Sequence, residues 1–164
     1  MNLFPMLSAR AEANEPIRVA QIGAGRFDSM FLSQAHMTPG LNIAGLADLD
    51  PARARQRLKD AGWEDGRFAA GSIDDTFATG ATFVTDDAEA IVAGPRIDVI
   101  IEAAGDPANG VRFARQAFSH GKSVVMVNVE ADALVSPPLA CEARKAGVIY
   151  SLAWGEARAH RRTY

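Results

Sequence analysis

Ile17-Arg18-Val19-Ala20-Gln21-Ile22-Gly23-Ala24-Gly25-Arg26-Phe27-Asp28 is the stretch on which the fold turns: a mainly apolar run, two glycines, and then a helix opening with Phe27, Met30 and Phe31 on its apolar side. The order suits a dinucleotide. Gly23 permits a tight turn, and Gly25, with no Cβ, lets the backbone approach a pyrophosphate, which then meets unpaired N–H groups and the positive end of the helix dipole. The third glycine position of such a turn is held by Asp28.

Working outward, Leu41-Asn42-Ile43-Ala44-Gly45-Leu46-Ala47 is a second apolar run, and Asp48 follows it, 23 positions beyond Gly25. A carboxylate at that place accepts hydrogen bonds from the 2′ and 3′ hydroxyls of a ribose and repels an added 2′-phosphate, which tips the cofactor expectation from NADP toward NAD. Capping of the next helix is the competing role for Asp48. Asp50, directly before Pro51, fits that cap better. Arg53, Arg55, Arg57 and Lys59 on the same helix read as a solvated face, with a 2′-phosphate site at Arg53 or Arg55 as the other reading.

With 164 residues, 48% of them hydrophobic, and a formal net charge of −3, the chain is sized for one domain with a substantial core. Basic residues are scattered, which points away from nucleic acid. No apolar stretch is long enough to span a bilayer, and the opening Met1-Asn2-Leu3-Phe4-Pro5-Met6-Leu7 lacks the form of a signal peptide, so a cytoplasmic home is expected. Cys141, the single cysteine, lies in a helical pattern among small apolar residues and is expected in the core. No metal-ligand spacing or nucleophile elbow is present, and His36 and His120 fall near helix C-terminal ends.

Strand and helix signals alternate to residue 151. A helix from Asp50-Pro51 to Gly62, an irregular stretch with a short helix over Ser72 to Thr79, a strand at Thr82 to Thr85 and a helix from Asp86-Asp87 to Ala93 come first. A strand at Ile97 to Ile101, a helix stopping at Gly121 and a strand at Ser123 to Val127 follow. Ser136 caps a further helix with Pro137 and Pro138 in its first turn and Gly147 just past its end, and Val148 to Leu152 is the last strand. Six Val- and Ile-rich strands with helices between them imply an α/β, Rossmann-type doubly wound parallel sheet in the order 3-2-1-4-5-6, helices on both faces. Ligands bind such a sheet at the carboxyl ends of its strands, where the turn at Gly23 to Phe27 and the loops at Ala103 to Asp106 and Asn128 to Asp132 meet. Gly105 suits close backbone approach to a cofactor. Asn128 and Glu130 carry two readings: contacts to a nicotinamide carboxamide and to substrate, or turn formation and helix capping.

These residues resemble the bacterial homoserine dehydrogenase-like oxidoreductases, some of them reductoisomerases of the 1-deoxyxylulose 5-phosphate type, which join a Rossmann domain to a catalytic domain and a SAF domain. The resemblance lies in Ile22-Gly23-Ala24-Gly25-Arg26-Phe27, Ala47-Asp48-Leu49-Asp50-Pro51, Thr85-Asp86-Asp87 and Ile97-Asp98-Val99-Ile100-Ile101-Glu102-Ala103. It is most specific in Val125-Met126-Val127-Asn128-Val129-Glu130-Ala131-Asp132 with Gly147-Val148-Ile149-Tyr150-Ser151-Leu152. It implies NAD or NADP bound by a set comprising Gly23, Ala24, Gly25, Arg26, Phe27, Asp48, Ala104, Gly105 and Asn128, with Asn128 and Glu130 at the substrate edge, no metal, and catalytic residues unassigned. Two departures stand out. Asp28 adds bulk and negative charge beside the phosphate site and is expected to weaken binding there. After Trp154-Gly155 the family continues Asp-Gln-Pro-Ala-Leu, whereas this chain reads Glu156 to Tyr164; codons that can encode Ala157 to Tyr164, read one base later, give a family-like Pro-Ala-Leu-Ile-Ala-Glu-Leu.

The expected organisation is therefore a helical lead-in at 1–15, an NAD(P)-binding domain at 16–155 and an aberrant, frameshifted tail at 156–164, with the catalytic and SAF domains absent. The implied function is the cofactor domain of an oxidoreductase that moves hydride between nicotinamide and a small alcohol or carbonyl, inactive unless a catalytic domain is supplied. The alternatives are a stand-alone redox sensor and an inert gene fragment. The expected partners are a nicotinamide dinucleotide and no nucleic acid or membrane, with homo-oligomerisation left open.

Overall fold

In the computed structural model, which describes residues 4–153 and only the backbone of residues 26–29, the strand leading to the glycine turn lies in the middle of the sheet. This strand, β1 (Ile17–Ile22), buries its last four residues. Its neighbours are β2 (Leu41–Ala47) and β4 (Val99–Glu102); β3 (Phe83–Thr85), β5 (Ser123–Met126) and β6 (Tyr150–Leu152) complete the set. Among the described residues the strands form one six-stranded sheet in the order β3-β2-β1-β4-β5-β6, and every neighbouring pair is parallel. This is the doubly wound order expected from the sequence.

Each face of the sheet buries its own apolar cluster. Ala24, Leu32, Ala35, Ala54 and Leu58 bring α2 (Arg26–Ala35) and α3 (Pro51–Asp60) onto one face, with Trp63 and Phe68 behind them. On the other, Ile91 and Val92 of α5 (Ala88–Ala93), Phe113, Ala114, Ala117 and Phe118 of α6 (Pro107–Ser119), and Leu139 and Ala143 of α7 (Val129–Ala146) pack with Ile22, Ile100, Val124 and Met126. The short α4 (Ile73–Thr79) sits beside this second cluster through Ile73 and Phe77. The first helix, α1 (Phe4–Glu12), buries none of its residues.

Strand β2 carries a bulge. Val19 pairs with Ile43 but Ala20 with Gly45, so Ala44 is one residue too many and the alternation changes phase: Ile43 and Leu46 face the α2/α3 side, Ala44 and Ala47 the α5/α6 side. Two buried hydroxyls serve carbonyls here, Thr76 Oγ1 donating to Ala44 O at 3.1 Å and Thr82 Oγ1 to Ile43 O at 2.6 Å.

Two expectations are corrected. The segment 128–132 is the first turn of α7 rather than a loop, because Asn128 caps it with its side chain. A kink at Val135 (φ −138°, ψ 17°) divides α7 into two helical pieces, and the second starts at Ser136 with Pro137 and Pro138 in its first turn, as the sequence reading has it. Cys141 is exposed, since Leu139 and Ala143 take the inward positions of α7. The tail at 156–164 and the side chains of Arg26, Phe27 and Asp28 lie outside the described residues.

Candidate functional site

The turn after β1 is fixed by sterics. Gly23 has φ +95°, and a Cβ there would fall 2.4 Å from Ala103 O, so the backbones of the β1–α2 turn and the loop after β4 touch directly. Gly23 N donates to Ala47 O at 2.7 Å, Gln21 Nε2 donates to Gly23 O at 2.8 Å, and Arg57 of α3 donates to Gly25 O at 2.8 Å. Arg57 thus belongs to the turn, and the basic face of α3 is not merely solvated. Arg55 likewise donates to Val84 O at 3.1 Å.

Asp48 accepts from three donors. Its Oδ2 accepts from Ala24 N at 2.8 Å; its Oδ1 accepts from Asp50 N at 2.9 Å and from Arg53 at 3.0 Å. Burial opposes the charge, but the hydrogen bonds from Asp50, Arg53 and Ala24 outweigh it and hold the carboxyl below its usual range. The competing role of helix cap belongs to Asp50, whose Oδ1 accepts from Arg53 N. A carboxylate has about four lone-pair sites, so one on Oδ2 stays open to a hydroxyl. Asp48 is 7% exposed and Arg53 55%, so the guanidinium is the outer, displaceable partner.

Asp48 borders a cleft of about 580 Å3 over the carboxyl ends of β1 and β2, the loop after β3, and the start of α6. Gly23, Asp48 and Ala104 of the expected cofactor set line it, with Leu49 and Phe113 among its apolar walls. Ala24 is buried behind Asp48, and Gly105 (φ +80°) is exposed with open space where a Cβ would stand. The charges are unequal: Asp48, Asp86, Asp87, Glu89 and Asp106 face Arg53 and Arg112. Both cations are already engaged, Arg53 with Asp48 and Arg112 with Glu89. Asp87 and Asp106 cap α5 and α6 through Ala90 N and Asn109 N, each at 2.8 Å.

Asn128 and Glu130 are not in the lining of this cleft. Asn128 is buried, and its Oδ1 accepts from Ala131 N at 3.1 Å, the capping arm of its two readings; Glu130 is exposed on the first turn of α7. The sequence reading missed Glu102. It is fully buried at the end of β4, its Oε1 accepts from Ala104 N at 3.0 Å, and burial pushes its carboxyl up to about 7. The signal available was an acid closing an otherwise apolar strand. Among the described residues no group of His, Cys, Asp and Glu is arranged to hold a metal, and no helix is long and apolar enough to cross a membrane.

Comparison with known proteins agrees with this geometry. A family model described as the NAD-binding domain of homoserine dehydrogenase matches residues 30–152. Among solved structures, a homoserine dehydrogenase from Thiobacillus denitrificans superposes with a TM-score of 0.63 at 19% identity, over 84% of this chain and 29% of that one. An NAD-binding oxidoreductase from Klebsiella pneumoniae gives 0.61 at 20% identity, over 85% and 34%. A biliverdin reductase from Synechocystis, solved with biliverdin and NADP+, gives 0.57 at 18%, over 84% and 37%. The chain thus spans about a third of the length of these structures. No curated protein sequence matches it.

Proposed function

The chain belongs to the family of homoserine dehydrogenase NAD-binding domains, and from that premise we propose that its cleft takes the adenosine and pyrophosphate of a nicotinamide dinucleotide, with NAD preferred over NADP. The observation that carries the proposal is Asp48: a buried carboxylate anchored to the Ala24 and Asp50 amides, with one lone pair free beside a cleft of ligand size. In this arrangement the ribose hydroxyls donate to Asp48, and the pyrophosphate lies over the Gly23–Gly25 turn at the start of α2, where peptide N–H groups and the helix dipole favour negative charge. The excess of acids around the cleft, and the engagement of Arg53 and Arg112 by carboxylates, disfavour a 2′-phosphate.

Gly105 would lie along the dinucleotide, and Asn128 and Glu130, beyond the adenosine end of the cleft, would border its nicotinamide. The family's chemistry would then be hydride transfer between the nicotinamide and a small alcohol or carbonyl. This domain supplies the binding and orientation; groups contacting the substrate would come from a partner domain.

Calorimetric titration with NADH and NADPH side by side tests the reading. Saturable binding with NADH the tighter ligand is expected. Absence of binding for either coenzyme at millimolar concentration rejects the cofactor site, and tighter NADPH binding rejects the role given to Asp48.

A further inference from the structure

Glu102, Asn128 and Gly110 meet in a buried polar cluster between β4, α6 and α7. Glu102 has 0% of its surface exposed and Asn128 4%. Glu102 Oε2 and Asn128 Nδ2 are both buried without a hydrogen-bond partner. They lie close together: a Cβ placed on Gly110 would stand 2.8 Å from Glu102 Oε2 and 3.1 Å from Asn128 Nδ2. Since Asn128 Oδ1 is committed to Ala131 N, the amide is oriented with its NH2 toward the acid. A small closure brings an acceptor and a donor together, and each removes the other's desolvation penalty. On its other oxygen Glu102 already accepts from Ala104 N.

We propose that Glu102 is a positioning residue that ties the turn after β4, which lines the cleft, to the capped start of α7, so that both segments hold their places along the dinucleotide. The proposal rests on the cofactor reading above for its consequence, but the latch is a property of the protein alone. Charged neighbours do not supply an alternative anchor. Asp106 at the start of α6 and Tyr150 on β6, itself donating to Asp132 on α7 at 2.7 Å, are the titratable groups that act on Glu102, and none is a cation. The ionised carboxylate is the stronger acceptor for both Ala104 N–H and Asn128 NH2, so the latch closes as Glu102 loses its proton. Burial, opposed in part by the bond from Ala104 and by the nearby Asn128 amide, puts that loss at about 7.

The test has two arms. In the first, the Glu102 carboxyl and the Ala104 amide are followed by NMR across neutral pH without any coenzyme; the amide is expected to shift downfield with the same midpoint as the carboxyl. In the second, NADH affinity is measured from about pH 6 to about pH 8 in the natural chain and in Glu102→Gln. Binding is expected to tighten with pH by about tenfold, the equilibrium value of one charge-assisted hydrogen bond, and to lose that slope in the variant. Weakening with pH, the sign that simple repulsion between Glu102 and the coenzyme phosphates would give, overturns the proposal, as does a slope that survives in Glu102→Gln. An Ala104 amide that does not titrate with Glu102 overturns it even where the variant fails to fold. Failure of NADH to bind at all, with the amide still titrating, rejects the cofactor reading and leaves the latch standing.

Discussion

Gly23→Ala would put a methyl carbon 2.4 Å from Ala103 O and require an alanine to hold φ +95°. The backbone term alone costs about 1–3 kcal/mol, and the overlap is with backbone that cannot swing aside, so the urea midpoint should fall sharply and coenzyme binding with it. Glu102 makes a different prediction. Its carboxyl is raised from 4.5 to about 7 on folding, so the folded chain holds that proton more tightly than the unfolded one. Its stabilising contribution is full below about pH 4.5 and is lost as pH rises through about 7, a difference of about 3 kcal/mol. The thermal midpoint should drop over that window, and in Glu102→Gln the drop should flatten. At this scale the sequence is legible where spacing carries the chemistry, as at Gly23 and Asp48. Glu102 is not, because an acid at the end of a strand usually reaches water; only the packing of α6, with Gly110 in place of a larger residue, closes over it.

Helices start where the sequence announces them and end where the fold decides. Asp50, Ser72, Asp87 and Asp106 all cap as short polar side chains before a helical run should. By contrast, the reading that starts a helix at Ser136 finds only the second piece of α7; the first piece is capped by Asn128, eight residues earlier. Two consecutive prolines look like a first turn, and nothing local says that another turn precedes them and kinks into the rest. The end of α5 depends on a residue from elsewhere: Lys122, buried in the turn after α6, donates to the carbonyls of Val92 and Gly94. Burial lowers its amine to about 8, yet its two acceptors would be stranded without it. Lys122→Met, which keeps the volume and removes the donor, should therefore destabilise the chain by about 1–3 kcal/mol in chemical denaturation.

For the molecule as a whole, a coenzyme held at the sheet's carboxyl edge, as proposed, would be linked to the fold, so its binding would appear as stability. NADH at a hundred times its dissociation constant should add about 2.7 kcal/mol and raise the melting midpoint, and Asp48→Ala should abolish most of that gain. Arg53→Ala should instead weaken NADPH more than NADH, since its loss leaves the Asp48 carboxylate uncompensated against an added 2′-phosphate. Strand order was readable because alternating helices and apolar strands leave few right-handed solutions. What alternation cannot convey is phase. The extra residue in β2 turns every later side chain of that strand over, and with it the acid at its tip. Had the pleat run on without interruption, Asp48 would look toward α5, out of reach of the Ala24 amide. The bulge that absorbs one surplus alanine thus decides on which side of the sheet a sugar would be met, although no atom of that alanine borders the cleft.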